Sequence, residues 1–177
     1  MIGPYRLVEP DRPSPSSTVV VGYDERLRRR VWLCLSRAES DPVPYSPRIV
    51  RRRGRPCWLA GQRTTDLAWD AYEWIPGRPF RAVVKERHSW GSVQEWLTDL
   101  SEEIGAALRD GSLWDLDVDR VWIGNDGRAR LLDWSAPDGH KESHSRPRCG
   151  AHTADLEEAH RFLYRVAMVA LEEASRD

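Results

Sequence analysis

The chain has 177 residues, 28 acidic against 27 basic side chains for a formal charge of -1, and 40% hydrophobic residues. Near-neutrality with interspersed signs leaves no long-range field to steer a polyanion or an anionic lipid surface, so a purely electrostatic nucleic-acid binder is excluded. No stretch approaches the roughly 20 apolar residues that cross a bilayer, and the N-terminus lacks a basic region followed by an apolar one, which argues against membrane insertion by this segment and against export. The expectation is one soluble domain, or one domain in two lobes, in the cytoplasm. Three cysteines, Cys34, Cys57 and Cys149, are too few and too scattered for a disulfide framework and fit the same reducing compartment. Only two of the 27 basic residues, Lys85 and Lys141, are lysine, so any chemistry that needs a lysine must draw on these.

In chain order, residues 18–23 (TVVVGY) and 29–35 (RRVWLCL) are β-branched and apolar, and the polar DERLR between them predicts a hairpin. Three prolines within 38–48 exclude a useful helix there. Residues 49–61 and 66–77 predict two more strands, with Arg51, Arg52, Arg53 and Arg55 as a solvated strand end able to grip an acidic partner, and with Pro76-Gly77 as the closing turn. The period then changes. Ser92 stands three residues before Glu95, a capping-box spacing, and Val93, Trp96, Leu97, Leu100, Ile104 and Leu108 recur at three and four up to Gly111, which predicts an amphipathic helix. Residues 121–123 and 128–134 flank Gly124-Asn125-Asp126-Gly127 and predict a second hairpin. From Thr153 as N-cap, Leu156, Ala159, Leu163, Val166 and Ala170 predict a last helix to about Ala174, with Asp155, Glu157 and Glu158 in its first turn.

This order of elements resembles the eukaryotic-type Ser/Thr protein kinase fold in its bacterial form, and specific segments carry the resemblance. GSLWDLDVDRVWIGNDGRARLLDWSAP (111–137) looks like the catalytic loop H-R-D-L-x-x-x-N running through a hairpin into D-F-G, with the two aspartates on Asp115 and Asp133. IGPYRLVEP (2–10) resembles the first strand of that family, RLRRRVWLCL (26–35) the strand carrying V-A-I-K, AYEWIPG (71–77) the hinge with Glu73, and TADLEEAHRFLYRV (153–166) the helix after the activation segment, whose Asp falls on Asp155. The match spans nearly the whole chain, although each segment alone is degenerate. It implies an α+β fold in two lobes: a small antiparallel N-lobe over 1–75 that lacks its helix, and a reduced, mainly helical C-lobe over 76–177. Kinase domains of this family continue beyond that helix, so the resemblance implies a fragment or a minimal domain.

Phosphoryl transfer by this fold rests on positioning and charge neutralisation, so each part can be checked for what it must supply. The three glycines that let backbone amides approach phosphate fall on Arg12, Ser14 and Ser17, with Pro13 and Pro15 between them. The lysine falls on Cys34, and the proline-bearing loop replaces the helix that should carry its glutamate partner, leaving Glu39 without a helix to present it. The metal-binding Asn falls on Arg120, a permanent cation where a metal ligand is required. The H and R of H-R-D become Leu113 and Trp114, and D-F-G becomes Asp133-Trp134-Ser135. Asp115 and Asp133 remain as vestiges, with a structural alternative for Asp115 in pairing with Arg120.

The expected function is therefore that of a catalytically inactive kinase-like module, regulatory in character, which binds a protein partner or another segment of a longer chain and needs no cofactor. Two alternatives stay open. One is an atypical Ser/Thr kinase that binds ATP and Mg and keeps residual transfer through Asp115 and Asp133. The other is an unrelated small α+β domain with a structural zinc, for which His140, His144, Cys149 and His152 supply acceptable ligand types in a spacing outside the recognised finger patterns. Of nine tryptophans, Trp32, Trp69, Trp74, Trp96 and Trp122 are expected in the core, while Trp58, Trp90 and Trp114 are left for a contact surface. Cys34 and Cys57 are expected as buried fillers.

Overall fold

The computed structural model describes residues 1–8, 19–36, 48–113, 115–137 and 155–174. These divide into two compact units. The first draws on Met1–Arg51, Pro56–Trp74 and Pro137–Cys149, the second on Arg52–Arg55, Ile75–Ala136 and Gly150–Asp177. The class is α+β with antiparallel sheets.

The first unit is built on one five-stranded antiparallel sheet of β1 (Tyr5–Leu7), β2 (Val19–Asp24), β3 (Arg29–Ser36), β4 (Trp58–Arg63) and β5 (Ala68–Glu73), in the order β1-β2-β3-β5-β4. The expected β2–β3 hairpin forms. Its turn is held by the Leu27 N–H, which donates to Asp24 Oδ1 at 2.9 Å. β3 pairs with β5 from Val31 opposite Glu73 to Ser36 opposite Ala68, so alternate residues share a face. On one face Val31, Leu33, Trp69 and Ala71 form a core with Tyr5, whose ring meets Trp69 edge-on at 5.6 Å. Gly3, at a left-handed φ of 55°, lies so close to Trp69 that a Cβ there would sit 2.4 Å from its ring. A bulge between Trp58 and Ala60 interrupts the β4–β5 register.

The second unit holds a three-stranded antiparallel sheet, β6 (Gly77–Pro79), β7 (Val121–Gly124) and β8 (Ala129–Leu131), with the short helix α1 (Phe80–Val83), the long helices α2 (Trp90–Asp110) and α3 (Leu156–Ala174), and a 3-10 turn at Val118–Arg120. Pro76-Gly77, expected as a closing turn, instead leads into β6. Gly77 lies opposite Gly124, where a Cβ would come 2.2 Å from the Ile123 carbonyl oxygen, an approach that only glycine permits. The β7–β8 hairpin forms as expected, with Gly127 at a left-handed φ of 78°.

α2 starts earlier than its capping-box spacing suggests. Ser89 is the N-cap and its hydroxyl accepts from the Ser92 N–H at 3.2 Å, so Ser92 sits inside the helix. Its far end closes at Gly111 in the left-handed conformation, as expected. Val93, Trp96, Leu100, Ile104 and Ala107 are buried, and Trp96 Nε1–H donates to the Gly127 carbonyl at 2.9 Å, fastening α2 to the hairpin. α3 is capped by Asp155; Thr153, expected as the N-cap, lies outside the described residues. The Glu158 N–H donates to Asp155 Oδ1 at 2.8 Å and the Asp155 N–H to Glu158 Oε2 at 3.3 Å, a reciprocal capping box. Its buried face is Ala159, Phe162, Val166 and Ala170, whereas Leu156, expected on the apolar stripe, is exposed. No described helix is long and apolar enough to cross a membrane.

Candidate functional site

Three of the residues singled out by their motif positions, Asp115, Arg120 and Asp133, lie in the second unit, and Cys34 and Glu73 lie in the first. Asp115 and Arg120 are brought together. Arg120 Nη1–H donates to the Asp115 carbonyl at 2.8 Å, and its Nη2 lies 3.8 Å from the Asp115 carboxylate. Arg120 is buried while the Asp115 side chain is 65% exposed, so the guanidinium fixes the loop's backbone and leaves the carboxylate facing water. The Arg120 carbonyl accepts from the Leu132 N–H at 2.8 Å, which ties this loop to the residue preceding Asp133.

Asp133 is held by a residue the sequence reading placed on the surface. Arg55, expected as part of a solvated basic run, has a side chain only 2% exposed, and its Nη1 lies 3.4 Å from Asp133 Oδ1. The same guanidinium donates to the Ser112 carbonyl at 3.1 Å, and its Nε lies 2.9 Å from Glu103 Oε1 as an ion pair outside hydrogen-bond geometry. Glu103, on the buried face of α2, is 1% exposed and also accepts from Arg52 Nε–H at 3.0 Å and Nη2–H at 2.8 Å. Arg52 reaches Asp110 and donates to Ser112 Oγ at 3.1 Å. Two arginines therefore clamp one buried glutamate, and the second carries Asp133 on its free edge. The basic run corrects to a mixed segment: Arg51 and Arg53 are exposed, Arg52 is half-buried and Arg55 is interior.

Backbone proximity makes this possible. The Gly54 carbonyl accepts from the Leu131 N–H at 2.8 Å, and a Cβ at Gly54 would lie 2.6 Å from Glu103 Cβ. Gly54→Ala is expected to cost about 1–3 kcal/mol through overpacking, read as a lowered denaturant midpoint, while Gly91→Ala, whose Cβ would meet only Ser89 Oγ at an ordinary 3.6 Å, serves as the control without overpacking.

Burial pushes the Asp133 carboxyl up from its ordinary range, and the Arg55 and Arg120 charges offset only part of that rise. A carboxyl raised in the folded state contributes stability that is complete below its unfolded pKa of about 3.9 and is lost as pH climbs through the folded value. Asp133→Asn is therefore expected to raise the melting temperature at pH 7, with the gain vanishing near pH 4; a loss at pH 7 that persists in acid would contradict the assignment.

In the first unit Cys34 is buried in β3, opposite Val19 on one side and Asp70 on the other. Asp70 is engaged: Trp58 Nε1–H donates to its Oδ1 at 3.1 Å and Arg63 Nη2–H to its Oδ2 at 2.7 Å. No cation stands at the position of Cys34 itself. Glu73 is exposed, and its N–H donates to the Cys57 carbonyl at 2.8 Å. Cys57 is half-buried where a buried filler was expected; burial and the neighbouring Glu73 carboxylate push its thiol up. Trp32, Trp69, Trp96 and Trp122 are buried as expected, and Trp134 is buried too, whereas Trp74 and Trp58 are half-buried under the guanidiniums of Arg30 and Arg48. Trp90 is exposed.

The glycine-loop positions Arg12, Ser14 and Ser17, with Pro13 and Pro15, lie outside the described residues, as do Glu39, Trp114 and the zinc candidates His140, His144, Cys149 and His152. Among the described residues no three His, Cys, Asp or Glu side chains converge to hold a metal ion. No protein-family model matches the chain, and no curated protein matches it.

Proposed function

We propose that the chain is a kinase-like domain, with residues 1–75 as the smaller lobe and 76–177 as a reduced C-lobe, that has given up phosphoryl transfer and acts by binding a protein partner. One observation carries the reading. The Asp133 carboxylate, at the position that in active relatives would hold magnesium, lies against the buried guanidinium of Arg55, with Arg120 nearby. A divalent cation would have to displace a permanent charge that is itself anchored by Glu103 and the Ser112 carbonyl, and the arginine has nowhere hydrated to go. Cys34 is in keeping with this, being a small buried thiol where a phosphate-binding lysine is needed, beside a carboxylate already committed to Arg63. The five-stranded antiparallel sheet, the long helix α2 and the β7–β8 hairpin that precedes Asp133 follow in the order the resemblance calls for.

The test is thermal unfolding with ATP, in magnesium and in EDTA. A ligand present at about 100 times its Kd adds about 2.7 kcal/mol to the stability of the state that binds it, enough for a shift of roughly 5–10 °C in a domain of this size. No shift at millimolar nucleotide is expected. A magnesium-dependent shift of that order would overturn the proposal.

A further inference from the structure

On the first unit's sheet, Arg6 of β1, Tyr23 of β2 and Arg30 of β3 are direct register partners and so lie on one face. Trp74 follows the end of β5 beside them. Arg6 stacks over the Tyr23 ring at 5.6 Å and Arg30 over the Trp74 ring at 5.0 Å, giving a row of alternating cation and aromatic across the sheet. The ring contacts hold each guanidinium beside an aromatic side chain, so less side-chain freedom remains to be lost when an anion arrives. Where the hairpin turns, Arg26, Arg28 and Arg29 are all exposed, and no described acidic side chain pairs with any of them. Arg28 has a φ of 52°, a left-handed conformation that suits glycine or asparagine better than arginine. One carboxylate already sits on the row: Glu25 Oε1 lies 3.1 Å from Arg6 Nε, in a pair 57% and 64% exposed and hence easily exchanged.

We propose that this row is a docking face for an extended acidic segment of a protein partner, whose carboxylates displace Glu25 from Arg6 and reach Arg30 and the hairpin arginines. Arg6 and Arg30 stand two strands apart, about 10 Å, which matches three residues of an extended peptide. Charge complementarity selects an anionic partner, and two features select protein among anions. Guanidiniums already cover the ring faces that would stack a base, and the near-neutral chain gives no field for a phosphate backbone. Leu27, exposed at the hairpin tip, is a single apolar anchor where an interfacial membrane contact needs several. The inference rests on this sheet alone, so it stands or falls separately from the kinase-like reading.

The experiment is fluorescence anisotropy of a labelled peptide with glutamate at every third position, titrated with the full chain at low salt, beside an oligothymidylate and phosphatidylserine vesicles. The peptide is expected to bind, and the Arg6→Gln/Arg30→Gln double variant to weaken it at least about tenfold while keeping the melting temperature of the parent. Tyr23→Leu, which keeps every charge, is also expected to weaken it, and Tyr23→Phe to preserve it. No peptide binding, equal affinity in the double variant, or tighter binding of the oligonucleotide or the vesicles would each overturn the proposal.

Discussion

Arg55→Met will destabilise the protein by about 3–5 kcal/mol, because it leaves buried charge without its counter-ion. Glu103 loses one of its two guanidiniums and Asp133 loses the one that touches it, while the Ser112 carbonyl loses a donor. For a domain of this length that corresponds to a fall in melting temperature of roughly 10 °C. The double variant Arg55→Met/Glu103→Met should recover much of the loss, since a buried ion pair is often matched by apolar side chains of similar volume. If Arg55→Met alone melts with the parent, the guanidinium is not the counter-ion described above and the argument against magnesium at Asp133 fails with it. The comparison with Arg53→Met, at an exposed position in the same run, separates burial from charge count.

The second large effect concerns α3. Phe162 is fully buried against the core that also holds Leu100, Ile104 and Leu113, and Phe162→Ala should cost about 3–5 kcal/mol by lost transfer energy and the cavity left behind. Leu156, which belongs to the same helix and is equally apolar, is 62% exposed, and Leu156→Ala should stay within about 0.5 kcal/mol. The contrast is sharp because the periodic pattern alone assigns the roles the other way. Chemical denaturation of the two variants settles it, and comparable costs at the two sites would mean that α3 packs through a different face.

That reversal shows where pattern reading stops. Leu156, Ala159, Leu163, Val166 and Ala170 do recur at helical spacing, but the stripe they define is wide, and Phe162 lies nearer its buried centre than either Leu156 or Leu163. α2 was legible along its length because Val93, Trp96, Leu100 and Ile104 keep one face over about three turns and Gly111 supplies a left-handed stop. Its start was not: Ser89 and Ser92 are both capping residue types, and what decides between them is the backbone conformation of Ser89, which no spacing encodes. Hairpins were visible through their turn chemistry, whereas β6 was hidden because Pro-Gly announces a turn whether or not a strand follows it.

The candidate site was legible in a different way. Asp115, Arg120 and Asp133 could be found because they sit inside one continuous segment, and the Asp115–Arg120 pairing is local. Glu103 and Arg55 are 48 positions apart, and their partnership with each other and with Asp133 arises only when the 52–55 segment, α2 and the β7–β8 hairpin meet. A charged residue on the apolar face of α2 was the available signal. Glu103 and Asp99 both fall on that face, and both are buried with arginine partners, Asp99 accepting from Arg128 Nε–H at 2.9 Å and from the Ala129 N–H at 3.0 Å. An acid in the path of a hydrophobic stripe asks for a cation, and in a chain this rich in arginine the sequence could not say which one.

Four residues, Arg52–Arg55, group with the second unit while the chain on either side of them groups with the first. A gene cut anywhere between residues 56 and 75 would therefore not yield two self-sufficient pieces. The downstream fragment would carry Glu103 and Asp133 into its interior without either arginine, and the upstream fragment would carry both arginines with nothing to neutralise. Divided expression of this protein calls for a duplicated segment, in which residues 52–55 are restored to the second half by a linker or supplied in trans as a peptide, and the ability of such a peptide to rescue the fragment would make the ionic clamp a splice point for reassembly.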